Sequence, residues 1–220
     1  MIIDLHTHTR RLSPCSILSP EDMLKLCKEA GLDGVCFTEH DAVWSPEALK
    51  ELHRDNDLVI LRGMEVQTEA GHILVFGLEK WLPGIYRVDR LRQVVDEVGG
   101  VMILAHPFRF ATHMWVGPDG ERRRVHRPVE DGASKPALRL MDALEVLNGG
   151  SNEDENSFAT AVADYLGLPG TGGSDAHYRA QVGTMITEFE RQIETEQDLI
   201  RELKAGRFRA RDLQTEPRQT

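Results

Sequence analysis

The feature that most limits the fold is an alternation of short apolar runs with longer segments of helical period. Runs of strand length lie at residues 2–5, 35–37, 58–61, 73–76, 101–104, 144–147 and, Gly-rich, 168–173. Ser19, Pro20 and Asp22 open an intervening segment as a capped helix, Met23, Leu24, Leu26, Cys27 and Ala30 give it an apolar stripe, and Gly31 ends it. Similar stripes precede Gly99, Gly167 and Gly206, the last opened by Thr195 with Asp198. Strands alternating with amphipathic helices predict a parallel α/β fold. Strands buried on both faces explain why the runs are continuous instead of alternating.

Two segments break this rhythm. Residues 117–136 are polar and contain Arg122, Arg123 and Arg124, so a long surface loop is expected at about 107–136. The domain reading is one barrel over residues 1–206, with an edge element and tail at 207–220. Composition narrows the function classes. The 26 basic and 36 acidic residues leave a net charge of −10, which argues against nucleic acid and anionic membrane as partners. Cys15, Cys27 and Cys36 form no zinc or redox spacing, and no signal-peptide pattern or apolar stretch of membrane-spanning length is visible. A reduced, cytoplasmic protein is expected.

The nine histidines carry the functional information. His6 and His8 follow the first run, His40 closes the second, Glu65 follows the third, His106 follows the fifth, and Asp175 and His177 follow the last. In a parallel barrel those strand ends form one rim, where chemistry collects. His72 begins its run instead of ending it. The link from Glu65 is too short for a helical crossover, so a hairpin should bring His72 back to the same rim. Residues two apart on a strand share a face, which allows His6 with His8, and Asp175 with His177, to point into the mouth. Imidazoles with carboxylates suit zinc, iron or manganese, and a carboxylate such as Glu65 can bridge two ions. His53 is expected to be incidental. His113 and His126 belong to the loop after His106, from which they could reach substrate, and Arg122 to Arg124 are read as its solvated face ahead of a phosphate site.

The ordered segments Asp4-Leu5-His6-Thr7-His8-Thr9, Thr38-Glu39-His40, Gly63-Met64-Glu65, Gly71-His72-Ile73, Ala105-His106-Pro107 and Gly173-Ser174-Asp175-Ala176-His177 resemble the motifs of the polymerase-and-histidinol-phosphatase (PHP) domain family. The resemblance implies a distorted, seven-stranded (β/α) TIM-like barrel with two or three divalent metal ions (Zn, Mn or Fe) at the C-terminal rim of the strands. It implies His6, His8, Glu65 and Asp175 on a first ion, Glu65 bridging to a second with His72 and His106, and His40 with His177 on a third. Many members carry Ser-Asp-Gly after the first motif, whereas this chain has Leu12-Ser13-Pro14-Cys15-Ser16. The third site is then filled by Cys15, completed by Asp41 or another neighbour, or weakly occupied.

The expected activity is metal-dependent hydrolysis of a small phosphorylated metabolite, a phosphomonoester or small phosphodiester. Glu65, Asp175, His177 and His40 are the catalytic candidates, and Arg109 and Arg179 are candidates for gripping phosphate. An amidohydrolase-type metal hydrolase and a non-catalytic metal-stabilised module in a larger complex are the alternatives. The sequence carries no signal for oligomeric state.

Overall fold

The seven apolar runs all form strands in the computed structural model, which describes residues 1–54, 56–110, 114–116, 122–124 and 128–216. The strands in chain order are β1 (Ile2–Thr7), β2 (Gly34–His40), β3 (Val59–Thr68), β4 (Gly71–Phe76), β5 (Val101–Leu104), β6 (Met114–Val116), β7 (Arg122–Arg124), β8 (Ala143–Asn148), β9 (Gly170–Gly173), β10 (Met185–Phe189) and β11 (Phe208–Asp212). Helices are α1 (Pro20–Glu29), α2 (Pro46–His53), α3 (Val88–Glu97), α4 (Val129–Ala133), α5 (Glu153–Leu166) and α6 (Glu196–Ala205).

Among the described residues nine strands make one sheet, in the order β11-β10-β1-β2-β3-β4-β5-β8-β9. The pairs β1–β2, β2–β3, β5–β8 and β8–β9 are parallel, whereas β4 runs antiparallel to both β3 and β5. The sheet curls into a nearly closed barrel. The Gly172 amide donates to Thr187 Oγ1 at 3.0 Å, and the Asp175 amide donates to the His6 carbonyl at 2.7 Å. These bonds tie the β9 end back to β10 and β1.

The strand count corrects the expected seven to nine. The additional strands are β10, which lacks a continuous apolar run because Thr187 and Glu188 interrupt it, and β11, which pairs antiparallel with β10. The segment expected as a plain loop contains the β6–β7 ladder and α4.

Local signals account for the helices. Ser19 accepts the Asp22 amide at 3.0 Å at the start of α1, with Pro20 in the first turn. Asn152 and Glu155 form a reciprocal capping box on α5, which ends at Gly167 in the left-handed region (φ 67°). The buried core has three parts. Leu5, Leu61, Leu74 and Ile103 meet Leu199 and Leu203 of α6. Met23, Leu24 and Cys27 of α1 pack with Val35 and Phe37. Leu91 and Val95 of α3 share the third cluster with Ala159 and Val162 of α5. All six residues of β1 are buried, so His6 projects from a fixed strand. No described helix is long and apolar enough to cross a membrane.

Candidate metal centre

The β3–β4 hairpin creates the centre of the site. Thr68 pairs with Gly71 and Gln67 with His72, so the chain reverses just beyond Glu65 and returns His72 to the same end of the barrel. On the other side of β3, His40 lies opposite Glu65 in the parallel register. The Ala105 amide donates to the His72 carbonyl at 2.9 Å, which fixes the end of β5 beside the start of β4. His106 then turns into the left-handed region (φ 31°), as does Asp175 (φ 52°) beyond β9. Such backbone is costly for residues with a Cβ and is characteristic of functional sites.

Five imidazoles crowd the Glu65 carboxylate, which is 1% exposed. His72 Nδ1 lies 2.8 Å from Oε1, His106 Nε2 3.1 Å and His6 Nε2 3.4 Å. His40 Nδ1 is 2.8 Å and His8 Nε2 3.3 Å from Oε2. His6 and His8 face each other with Nε2 atoms 3.1 Å apart, and both lie near Asp175 Oδ1, at 3.5 and 3.3 Å. His177 donates from Nδ1 to the Asp175 backbone carbonyl at 2.9 Å, so its Nε2 is the free nitrogen.

Among the described residues, four sets of donor atoms lie mutually within 4.8 Å: His6, His8 and Asp175; His6, Glu65 and His106; His40, Glu65 and His72; and His8, His40 and His177. The donors fit divalent cations. A carboxylate offers about four lone-pair sites, fewer than the five imidazole nitrogens around Glu65, and imidazole with carboxylate is a usual ligand set for such ions. The electrostatics agree. Burial pushes the Glu65 carboxyl up, but the His6 charge and hydrogen bonds from His106 and His40 hold it well below the usual range. Burial likewise opposes ionised Asp175, and the His6 charge and the His8 hydrogen bond outweigh it. Burial opposes charge on His6, yet Glu145, Asp175 and Glu65 raise its pKa well above normal. The pocket demands positive charge.

All eight residues expected to ligate metal are thus brought together. His8 joins the His40–His177 pair for which the sequence left the third partner open. Cys15 is exposed and lies in none of the four sets. Asp41 is absent from them too, and its Oδ1 accepts the Gln67 amide at 3.2 Å. Arg109 reaches in to bond Asp175 Oδ2 and Asn148 Oδ1 through one nitrogen, Nη2. Arg179 is exposed on a short 3₁₀ turn, two residues beyond His177. His53 lies away from the cluster, 2.9 Å from the Ile60 carbonyl through Nε2. His113 and His126 lie outside the described residues, as do the side chains of Arg122 to Arg124.

Several participants escaped the sequence reading. Ser13 Oγ accepts the His40 amide at 3.1 Å and sits 3.4 Å from His8 Nδ1. Glu39 accepts from the Thr9 amide and from Trp44 Nε1 at 2.8 Å, anchoring the chain just after His8. Glu145 is 1% exposed and accepts from His6 Nδ1 at 2.9 Å and from the His106 amide at 2.8 Å. A usable signal existed for Glu145: a lone carboxylate inside the otherwise apolar run at residues 143–147.

The PHP domain model matches residues 4–110 and the PHP-associated model residues 153–208, together about three quarters of the chain. Uncharacterised protein MJ0417 of Methanocaldococcus jannaschii is 28% identical over 203 residues, covering 90% of this chain and 75% of that protein. MJ1587 of the same organism is 26% identical over 117 residues, covering 49% and 68%. Three solved structures share the fold. PsfC from Pseudomonas syringae has a TM-score of 0.66 at 23% identity, covering 96% of this chain and 91% of that one. A two-domain protein from Bacteroides vulgatus, described as containing a predicted PHP-like metal-dependent phosphoesterase, gives 0.62 at 18%, covering 96% and 64%. An amidohydrolase from Chromobacterium violaceum, solved with bound sulfate and no metal, gives 0.56 at 18%, covering 96% and 97%. With its ordered motifs meeting around Glu65 and both models matched in sequence, the chain belongs to the PHP domain family.

Proposed function

We propose that this chain is a metal-dependent phosphoesterase that hydrolyses a small phosphorylated molecule, a phosphomonoester or small phosphodiester. The observation that carries the reading is the gathering of five imidazoles around one buried carboxylate, that of Glu65. His6, His8, Glu65 and Asp175 would hold one divalent ion, and Glu65 with His72 and His106 a second. His40 and His177, with His8 beside them, would hold a third if one binds. Bound zinc, manganese or iron would supply positive charge for the phosphoryl oxygens and acidify a water for attack on phosphorus.

The chain's own groups would do the rest. Glu65 and Asp175 are held ionised against burial, so they keep their acceptor atoms free of protons. As water adds to phosphorus and the ester P–O bond breaks, the departing oxygen needs a proton, which His177 or His40 would deliver where no third ion occupies them. His177 holds Nδ1 against a carbonyl and turns Nε2 outwards, so its protonated form would donate from Nε2. Arg179, exposed beside the rim, would grip the substrate phosphate. Arg109 would act there only through nitrogens other than Nη2, which Asp175 and Asn148 occupy.

The test is metal analysis of the full chain together with a hydrolysis screen over phosphomonoesters and phosphodiesters. Turnover that needs bound metal and disappears in Glu65→Ala is expected. Two or more bound metals without phosphoester hydrolysis would favour a non-catalytic module, and hydrolysis of amides or lactones alone would favour amidohydrolase chemistry.

A further inference from the structure

Behind the ligands lies a second layer of polar groups that the sequence motifs do not include. Glu145 and Asn148 lie on β8 and are 1% and 0% exposed. Glu145 Oε1 takes the His6 Nδ1 proton at 2.9 Å. Its Oε2 accepts the His106 amide and Asn148 Nδ2, each at 2.8 Å. Asn148 Oδ1 in turn accepts from the Gly150 amide at 2.7 Å and from Arg109 Nη2, and that same Nη2 bonds Asp175 Oδ2. Asp175 Oδ1 closes the circuit 3.5 Å from His6 Nε2.

We infer that Glu145, Asn148 and Arg109 form a positioning network that presents His6 and Asp175 to a divalent cation, an inference that rests on the metal-site reading above. At each end the network occupies one atom of a ligand and exposes the other. An ionised carboxylate only accepts, so Glu145 fixes the proton of His6 on Nδ1 and leaves the Nε2 lone pair facing His8, Glu65 and Asp175. Arg109 takes Oδ2 of Asp175, which leaves Oδ1 turned towards His6 and His8. Asn148 joins the two ends because its amide can only donate to Glu145 and accept from Arg109. Glu145 also holds the His106 amide, so the same carboxylate steadies ligands from two strands.

The backbone makes room for both ends. A Cβ on Gly173 would stand 2.4 Å from His6 Cβ and 2.6 Å from Glu145 Oε1. One on Gly150 would stand 2.5 Å from Arg109 Nη2.

Zinc is the probe. In the zinc-loaded full chain, long-range ¹⁵N–¹H spectra should show His6 protonated on Nδ1. A proton on Nε2 would overturn the assignment without any variant. Zinc affinity, measured by competition with a chromophoric chelator, should fall about 10–100-fold in Glu145→Gln and in Arg109→Met. Arg109→Lys should recover part of the loss. A merely structural role would instead lower the unfolding midpoint equally with zinc and with chelator, leaving zinc affinity and the His6 tautomer unchanged. Wild-type zinc affinity in folded Glu145→Gln would overturn the network. If Glu145→Gln does not fold, the wild-type tautomer and the Arg109 variants decide. A wild-type chain that binds no zinc would instead bring down the metal-site reading itself.

Discussion

Single residues here carry unequal weight, and Glu65 carries the most. Glu65→Ala removes the carboxylate shared by five imidazoles and should reduce turnover to background while the far-ultraviolet circular dichroism spectrum stays that of a folded barrel. Near wild-type activity would contradict a shared carboxylate. Asp4 makes a different prediction. Burial lifts its carboxyl from 3.8 to about 6, against hydrogen bonds from Ser174 and His6. An acid with a raised folded pKa binds its proton more tightly when folded. Its penalty is therefore absent below the unfolded pKa near 4 and complete above the folded pKa near 6, amounting to roughly 3 kcal/mol. In chelator, Asp4→Asn should gain stability relative to wild type as pH rises through that window, and parallel urea-denaturation profiles would contradict this. The eight ligand candidates were legible because strand ends placed them in one order along the chain. Glu145 was not, because its contacts with His6, 139 residues away, exist only after the barrel closes.

The secondary-structure elements show where local signals end. The short link between Glu65 and His72 foretold a hairpin, since no crossover fits six residues, and the antiparallel β3–β4 pair is what forms. β10 was invisible because its pairing with β1 and β11, not its own pattern, makes it a strand. α5 joins an element signal to the site. Its capping carboxylate Glu155 also accepts the Phe110 amide at 2.7 Å through Oε1, holding a residue with φ of 61° next to Arg109. Asn152→Ala should cost about 1 kcal/mol through the lost cap. Glu155→Ala should cost more, about 0.5–1.5 kcal/mol beyond the cap, because the Phe110 amide exchanges its carboxylate partner for water. Chemical denaturation of both variants checks the order, and an equal loss in the two would contradict the Phe110 link.

At the scale of the molecule, the barrel and its candidate metal site depend on the same strand closure. The closure between β9 and β1 brings Asp175 against His6, so whatever holds the ligands together also holds the first and last strands of the rim. A cation that binds only the folded chain stabilises it by about 2.7 kcal/mol at a hundredfold excess over its dissociation constant. Adding zinc to stripped protein should therefore raise the melting temperature. An unchanged melting temperature would contradict binding at the closure. The acidic surface remains consistent with a net charge of −10, while two ions would place four positive charges where Glu65 and Asp175 carry two negative ones. That local inversion suits a phosphate. The most direct test is turnover of a phosphoester panel by the full chain, stripped with chelator and then titrated with zinc, manganese or iron(II). The expected result is no hydrolysis when stripped and full hydrolysis once two or more metal equivalents are bound per chain. Hydrolysis that survives stripping, or a metal-loaded chain that cleaves no phosphoester, would contradict the assignment.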